Sequence, residues 1–246
     1  MPKNDTLLFH RFLYINFELK YCILKPMSKV NISQTQINTT HAITFISILY
    51  FVGILGFMLA IHPDFALLSP LNLTISLVTA LHFHTTSNGA FWLACAVVGV
   101  TGYAIEVIGV NTGLIFGAYK YGRVLGFKLW DTPLSIGVNW VLLVYTTSVC
   151  VNHFFNIHTS RYIKSLVGAT LMVALDVLIE PVAVAIDMWQ WDDIAVPFQN
   201  YVGWFVSAFF LHIFMSYFTY HEKNKVAVVI FIWQCIFFSV LNLTAN

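Results

Sequence analysis

YIKSLVGATLMVALDVLIEPVAVAIDM, residues 162–188, is the stretch whose reading decides the fold. It is longer than the about 20 apolar residues a helix needs to cross a bilayer, yet it carries Asp176 and Glu180. A carboxylate inside a membrane span costs roughly 2.5 kcal/mol or more at the helix centre, so it usually faces a protein-lined cavity and marks chemistry, proton movement or ion movement. Glu106 is placed in the same way, inside the apolar run 90–110. Steps of four and seven residues return a helix to within roughly 40° of its starting face, which puts Asp176, Glu180 and Asp187 on one side. Pro181, beside Glu180, is expected to kink the helix and free the carbonyl of Val177.

The rest of the chain extends this pattern. Of its 246 residues 59% are hydrophobic and 9% charged, against about 25% charged in an ordinary soluble domain. Apolar runs predict spans at 41–61, 66–82, 90–110, 133–155, 162–188, 199–220 and 226–243. Inside a bilayer each can satisfy its backbone only as a helix. The predicted fold is therefore all-α: a polytopic integral membrane helical bundle of about seven transmembrane helices. The second run is interrupted by Ser69, Pro70 and Asn72. Residues 41–246 form a single membrane domain in this reading, and residues 1–40 an N-terminal leader or interfacial segment. Residues 7–24 are apolar, but Arg11, Glu18 and Lys20 argue against a signal-peptide core. Met27, followed by a polar run, is an alternative to Met1 as the start of translation. The net charge of +1 gives no reason to expect nucleic acid as a partner. Cys22, Cys95, Cys150 and Cys235 form neither a CxxC pair nor a metal-ligand spacing.

Lys and Arg placement orients such a bundle. Lys3, Arg11, Lys20, Lys25, Lys29, Arg161, Lys164, Lys223 and Lys225 fall on one side of the spans, predicted cytoplasmic together with the N-terminus. A multi-pass protein of the cell membrane is expected. The loop with Asp187, Asp192 and Asp193 falls outside and reads as solvated. Lys120, Arg123 and Lys128 also fall outside, against the rule, so either their loop is special or a span is miscounted.

Depth brings polar residues together. At about 1.5 Å per residue, Glu106 lies ~24 Å from the inner end of its span, Asp176 ~21 Å and Glu180 ~27 Å along theirs, and Asn139 ~9 Å below the outer end of the fourth. Asn200, Tyr201 and Trp204 open the sixth span at that side. The stretch GVNTGLIFGAYKYGRVLGFKLWD, residues 109–131, is the second unusual segment. Gly109, Gly113 and Gly117 are spaced for close helix approach. Tyr119, Tyr121, Phe127 and Trp130 alternate with cations, either as an interfacial belt or as a re-entrant lid over the polar cluster.

Plainer readings stand beside these. A lone Glu106 could merely pair with a polar group on another span. Asp176 and Glu180 together fit that reading less well, because two acids on one face repel and tend to keep one proton. Trp189, Trp191 and Trp204 suit interfacial anchors better than substrate contacts. No metal is expected: the nine histidines offer neither HExxH nor an i, i+4 ligand pair. No GxSxG or phosphate loop is present, and no lysine sits within the last span to form a Schiff base.

Three stretches, EVIGVNTGLIFGAYKYGRVLGFKLWDTPLSIGVNW (106–140), DVLIEPVAVAIDMWQW (176–191) and NYVGWF (200–205), resemble the membrane-bound carotenoid biosynthesis protein family. That family includes bisanhydrobacterioruberin hydratases and carotenoid 1′-hydratases. The resemblance covers about residues 90–220 and implies a lipophilic carotenoid substrate drawn from the lipid bilayer, with room for association with other carotenoid enzymes. It implies hydratase (hydro-lyase) chemistry: water adds across the terminal C1=C2 bond of an acyclic ψ-end, giving a tertiary alcohol, and no cofactor is needed. An alkene requires a positioned proton donor, and a carboxylic acid kept neutral by burial can serve. The C1 cation that follows is stabilised by aromatic faces and a carboxylate. The expected roles are Asp176 as acid and Glu180 as base or cation stabiliser, in either order, with Glu106 in the same network. Asn139 and Asn200 would hold the water, Tyr201, Trp140 and Trp204 would flank the cation, and Tyr119 would contact substrate or water. Two rivals remain. A lycopene-cyclase-like reaction shares the protonation step and also suits the Ile179–Glu180–Pro181 triplet. A proton-coupled transporter uses intramembrane acids too, although no inverted repeat is visible.

Overall fold

The computed structural model describes residues 32–193 and 195–244, with side chains from residue 39 onward. The expected leader, with the choice between Met1 and Met27, lies almost wholly outside the described residues. Among the described residues seven helices are long and apolar enough to cross a membrane. They are α1 (Ile32–Met58, with its apolar span from Thr39), α2 (Ser69–His82, preceded by a 3-10 turn over Phe65–Leu68), α3 (Gly89–Thr112), α4 (Ser135–Phe154), α5 (Arg161–Ala185), α6 (Phe198–Thr219) and α7 (Lys225–Thr244). Their limits lie within a few residues of those expected, and the chain is a multi-pass all-α membrane bundle.

Local chemistry sets the helix ends. Pro70 lies in the first turn of α2, where a missing N–H breaks no helical bond; the interruption seen in the sequence is thus a helix start, and the 3-10 turn completes the crossing. Asn88 caps α3 by accepting from the Phe91 N–H at 2.9 Å. Gly113 ends it in the left-handed conformation (φ 66), which a residue without Cβ adopts cheaply. Pro181 lies inside α5, which still runs on to Ala185.

Helix α4 is the hub, packing against α2, α3, α5, α6 and α7. It has the lowest hydropathy of the seven spans (1.3) and the most enclosed surface. The two go together: a helix surrounded by protein meets little lipid and can carry polar groups. Its Thr146 and Thr147 donate to the carbonyls of Leu142 and Leu143 at 2.7 and 2.6 Å. Helix α1 differs, its backbone packing less closely against the bundle than those of the other spans.

The segment after α3 is neither a simple belt nor a helix. It contains the strands β1 (Tyr119–Tyr121), β2 (Lys128–Leu129) and β3 (Thr132–Pro133), and a fourth, β4 (Trp189–Trp191), precedes α6. Strands β2 and β3 form a hairpin around Trp130 and Asp131, both at positive φ (50 and 59), as the favoured two-residue turn requires. Strands β1 and β4 pair antiparallel, with Tyr119 opposite Trp191 and Tyr121 opposite Trp189.

Two expectations are corrected here. The glycines are not a helix-packing stripe, because α3 ends at Thr112: only Gly109 is helical, while Gly113 and Gly117 are at positive φ in the turn. Asp187 does not share the face of Asp176 and Glu180, because α5 stops at Ala185 and Asp187 follows in an exposed turn at φ 60. The expected count of seven spans stands, which leaves the loop with Lys120, Arg123 and Lys128 as the special element. Its Arg123 pairs with Asp64 at 2.9 Å, and Lys128 donates to the Tyr121 carbonyl.

Candidate active site

Glu106 from α3 and Asp176 and Glu180 from α5 line one cavity of about 240 Å³. They are 1%, 2% and 3% exposed. Unpaired, such groups would be costly in an apolar interior, and each is met by donors supplied from elsewhere in the chain.

The two-stranded ribbon supplies most of them. Side chains two apart on a strand share a face, so Tyr119 and Tyr121 on β1 lie across from Trp191 and Trp189 on β4. Ring centroids are 5.0 Å apart for Tyr119–Trp191 and 6.1 Å for Tyr121–Trp189. The two tyrosine hydroxyls donate to Glu106 Oε2, at 2.5 and 2.8 Å. The two indole N–H groups donate to Glu180 Oε2, at 3.0 Å from Trp189 and 2.9 Å from Trp191. One strand thus serves one glutamate and its partner strand the other. Tyr119 and Tyr121 lie outside the spans, and burial, reinforced by the neighbouring Glu106, pushes both phenols above their ordinary range. They remain protonated donors.

Helices α4 and α6 complete the shell. Trp140 Nε1 donates to Glu106 Oε1 at 3.3 Å. Asn200, in the first turn of α6, donates through Nδ2 to Asp176 Oδ2 at 2.9 Å and to Glu180 Oε1 at 3.2 Å. Its amide therefore bridges the two acids of α5. Glu106 and Glu180 each accept from three donors, and among the described residues Asp176 accepts from Asn200 alone. Trp204 lines the cavity and stacks on Trp140, with ring centroids 4.6 Å apart and planes 14° apart.

Of the residues singled out in the sequence, Glu106, Tyr119, Asn139, Asp176, Glu180, Asn200 and Trp204 line the cavity. Trp140 and Tyr201 do not. Trp140 is fully buried behind Trp204. Tyr201 follows Asn200 in a helix, where one residue turns the side chain by about 100°. Trp189 and Trp191 are not merely interfacial anchors, since both hydrogen-bond Glu180. Asp192 and Asp193 are exposed, as expected for a solvated loop. Tyr121 was missed as a site residue; the signal for the ribbon was the matching period of two in Tyr119/Tyr121 and Trp189/Trp191. Gln234 of α7 was also missed. It is 3% exposed, lines the cavity, and its Oε1 has no hydrogen-bond partner among the described residues. Away from the acids the cavity continues as an apolar arm between α1, α2 and α7. Among the described residues no group of three or more His, Cys, Asp or Glu is placed to hold a metal ion.

The fold and the cavity together define a multi-pass membrane protein whose site is suited to a lipophilic substrate. The family model described as "Carotenoid biosynthesis protein" matches residues 65–246, and the chain belongs to that family. It is 31% identical over 160 residues to the bisanhydrobacterioruberin hydratase of Haloarcula japonica, a match covering 63% of this chain and 54% of that protein. The chain thus spans about half the length of this relative. No solved structure matches it.

Proposed function

We propose that this protein is a carotenoid hydratase, adding water across the terminal C1=C2 bond of an acyclic ψ-end to give a tertiary alcohol. The observation that carries the reading is the unequal sharing of donors among three buried acids at the end of an apolar cavity. Hydrogen bonds from N–H and O–H groups favour a carboxylate. Glu180, with three donors, is the charged member of the α5 pair, and Asp176, with one, holds the proton. The name of the Haloarcula japonica relative supports the same reaction class.

The reaction balances within the pair. Asp176 gives its proton to C2, and the positive charge develops at C1. The face of Trp204 and the Glu180 carboxylate stabilise that cation. Water, held by Asn139 and by the carbonyl oxygen of Asn200, attacks C1 and loses a proton to Glu180. Transfer of that proton back to Asp176, across the gap that Asn200 spans, restores the starting state. Glu106, with its two tyrosines, is a fixed negative charge that strengthens the field at the cation.

The test is expression in a host that makes acyclic carotenes, in isotope-labelled water, with mass spectrometry of the pigments. The expected product gains one water per reacted end, with its oxygen from the solvent. Oxygen drawn from O2, or a cyclised product of unchanged mass, overturns the proposal.

A further inference from the structure

We infer that the substrate's chain enters sideways from the bilayer, through an opening between α1 and α2, so that the end group alone reaches the acids. This rests on the hydratase reading for the identity of the occupant. The opening itself is visible in the wall of the cavity. Val52 of α1, Leu68 of the 3-10 turn and Leu71 of α2 line the cavity and are also 51%, 52% and 56% exposed. A residue that is at once inner wall and outer surface stands at an aperture, and on a membrane span the outer surface faces lipid. Beside the acids stands the ribbon, whose four aromatic side chains all line the cavity, the two tyrosines buried and the two tryptophans partly exposed.

Size gives a second argument. At about 240 Å³ the cavity is smaller than the roughly 300–1,000 Å³ of pockets that enclose a drug-sized ligand. A carotenoid's long conjugated chain cannot be swallowed whole. It must trail out, and for a hydrocarbon the bilayer is the favourable medium.

Helix α1 is built to permit this. Its backbone packs less closely against the bundle than those of the other spans, and it leans on aromatic rings. A Cβ on Gly56 would lie 2.1 Å from the Phe65 ring, and one on Gly53 would lie 3.3 Å from that of Phe237. Phe57 meets Phe65 and Phe237 edge-on, at 5.3 and 5.7 Å between centroids. The opening is thus edged by side chains that can swing, with α1 held by Tyr50 Oη to Ser76 Oγ at 3.2 Å and by Trp233 Nε1 to Ser47 Oγ at 2.9 Å.

The test compares Val52→Trp and Leu71→Trp, which fill the opening, with Val78→Trp, a control on α2 that is 63% exposed and does not line the cavity. Each is assayed on a full-length acyclic carotene and on a short acyclic isoprenoid with the same end group. The two blocking variants should lose on the order of tenfold or more in kcat/KM on the long substrate while the short one is turned over normally, and the control should match the unaltered protein on both. Equal loss on both substrates, or no loss on either, overturns the lateral entry. In parallel, a photoreactive long-chain isoprenoid hydrocarbon is cross-linked to the membrane-embedded protein. Label should fall on the peptides holding Val52 and Leu71 and vanish in the blocking variants; label elsewhere on the bundle overturns the inference. If the unaltered protein hydrates neither substrate, the hydratase reading falls, and the labelling alone decides the opening.

Discussion

Replacing Asp176 by asparagine separates the proton from everything else this side chain does. Asn200 donates to Asp176 Oδ2 at 2.9 Å, and no other described residue donates to it. Asparagine keeps an oxygen that can accept there, so folding stability should change by less than about 1 kcal/mol. The acid itself is lost. General acids contribute about 10²–10⁴-fold, which at about 1.36 kcal/mol per decade is ~2.7–5.4 kcal/mol of barrier. Glu180→Gln behaves differently, because both of its oxygens already accept N–H groups: Oε1 from Asn200, Oε2 from Trp189 and Trp191. Whichever position becomes NH2 faces another donor, so about 1–3 kcal/mol of stability should go along with activity. The assay pairs turnover of an acyclic carotene with thermal unfolding in detergent. Asp176→Asn should be inactive and stable, Glu180→Gln impaired in both, and Asp192→Asn, an exposed control, normal in both. Asp176→Asn turning over within about tenfold of the unaltered protein, at unchanged stability, would remove it as the acid and move suspicion to Glu106. An unstable Asp176→Asn would assign it a structural role instead.

Removing both phenols with Tyr119→Phe and Tyr121→Phe leaves Glu106 with Trp140 as its donor; unfolding should come about 1–3 kcal/mol earlier for each lost bond, and a double variant as stable as the original would refute the ribbon's role. In Gly102→Ala the new Cβ would lie 2.3 Å from Trp140 Cγ; the Trp140–Trp204 stack should shift at a cost of about 1–3 kcal/mol, visible in tryptophan fluorescence, and an unchanged spectrum and stability would count against that packing. Gln234→Leu removes a buried acceptor that has no partner among the described residues and should stabilise the protein by about 1–3 kcal/mol; a loss of stability would mean that the amide is bonded in the cavity after all. Glu222, beyond α6, is subject to burial, which raises a carboxyl, but the His84 side chain and the hydroxyl and N–H of Thr85 outweigh it and hold Glu222 below its ordinary value. A depressed carboxyl stabilises the fold above its unfolded value, about 4.3, and loses that contribution as pH falls through the folded one. Unfolding temperature should drop on acidification below about pH 4, less steeply in Glu222→Gln, and identical acid slopes would overturn the assignment.

Composition and periodicity determined the bundle. Seven apolar runs can close their backbone hydrogen bonds in lipid only as helices, so span number and limits followed from residue type alone. Helical rise then placed Glu106, Asn139, Asp176 and Asn200 at one depth, and they line one cavity. Depth carries no azimuth, however. Trp140 and Tyr201 have the right height and do not line the cavity, because rotation about each helix axis is set by packing against neighbours. The extrapolation to Asp187 failed because α5 ends at Ala185 before the next turn is complete. What only the tertiary structure decided is how the acids are kept. The pairing of Tyr119–Tyr121 with Trp189–Trp191 joins two segments far apart in the chain; each is too short to form a strand alone, and their register exists only once α3 and α5 hold the ends together. That pairing hands three donors each to Glu106 and Glu180, with Trp140 and Asn200, and leaves Asp176 with one. The inequality that distinguishes one acid from another is a long-range property, formed by side chains that meet only when the bundle closes.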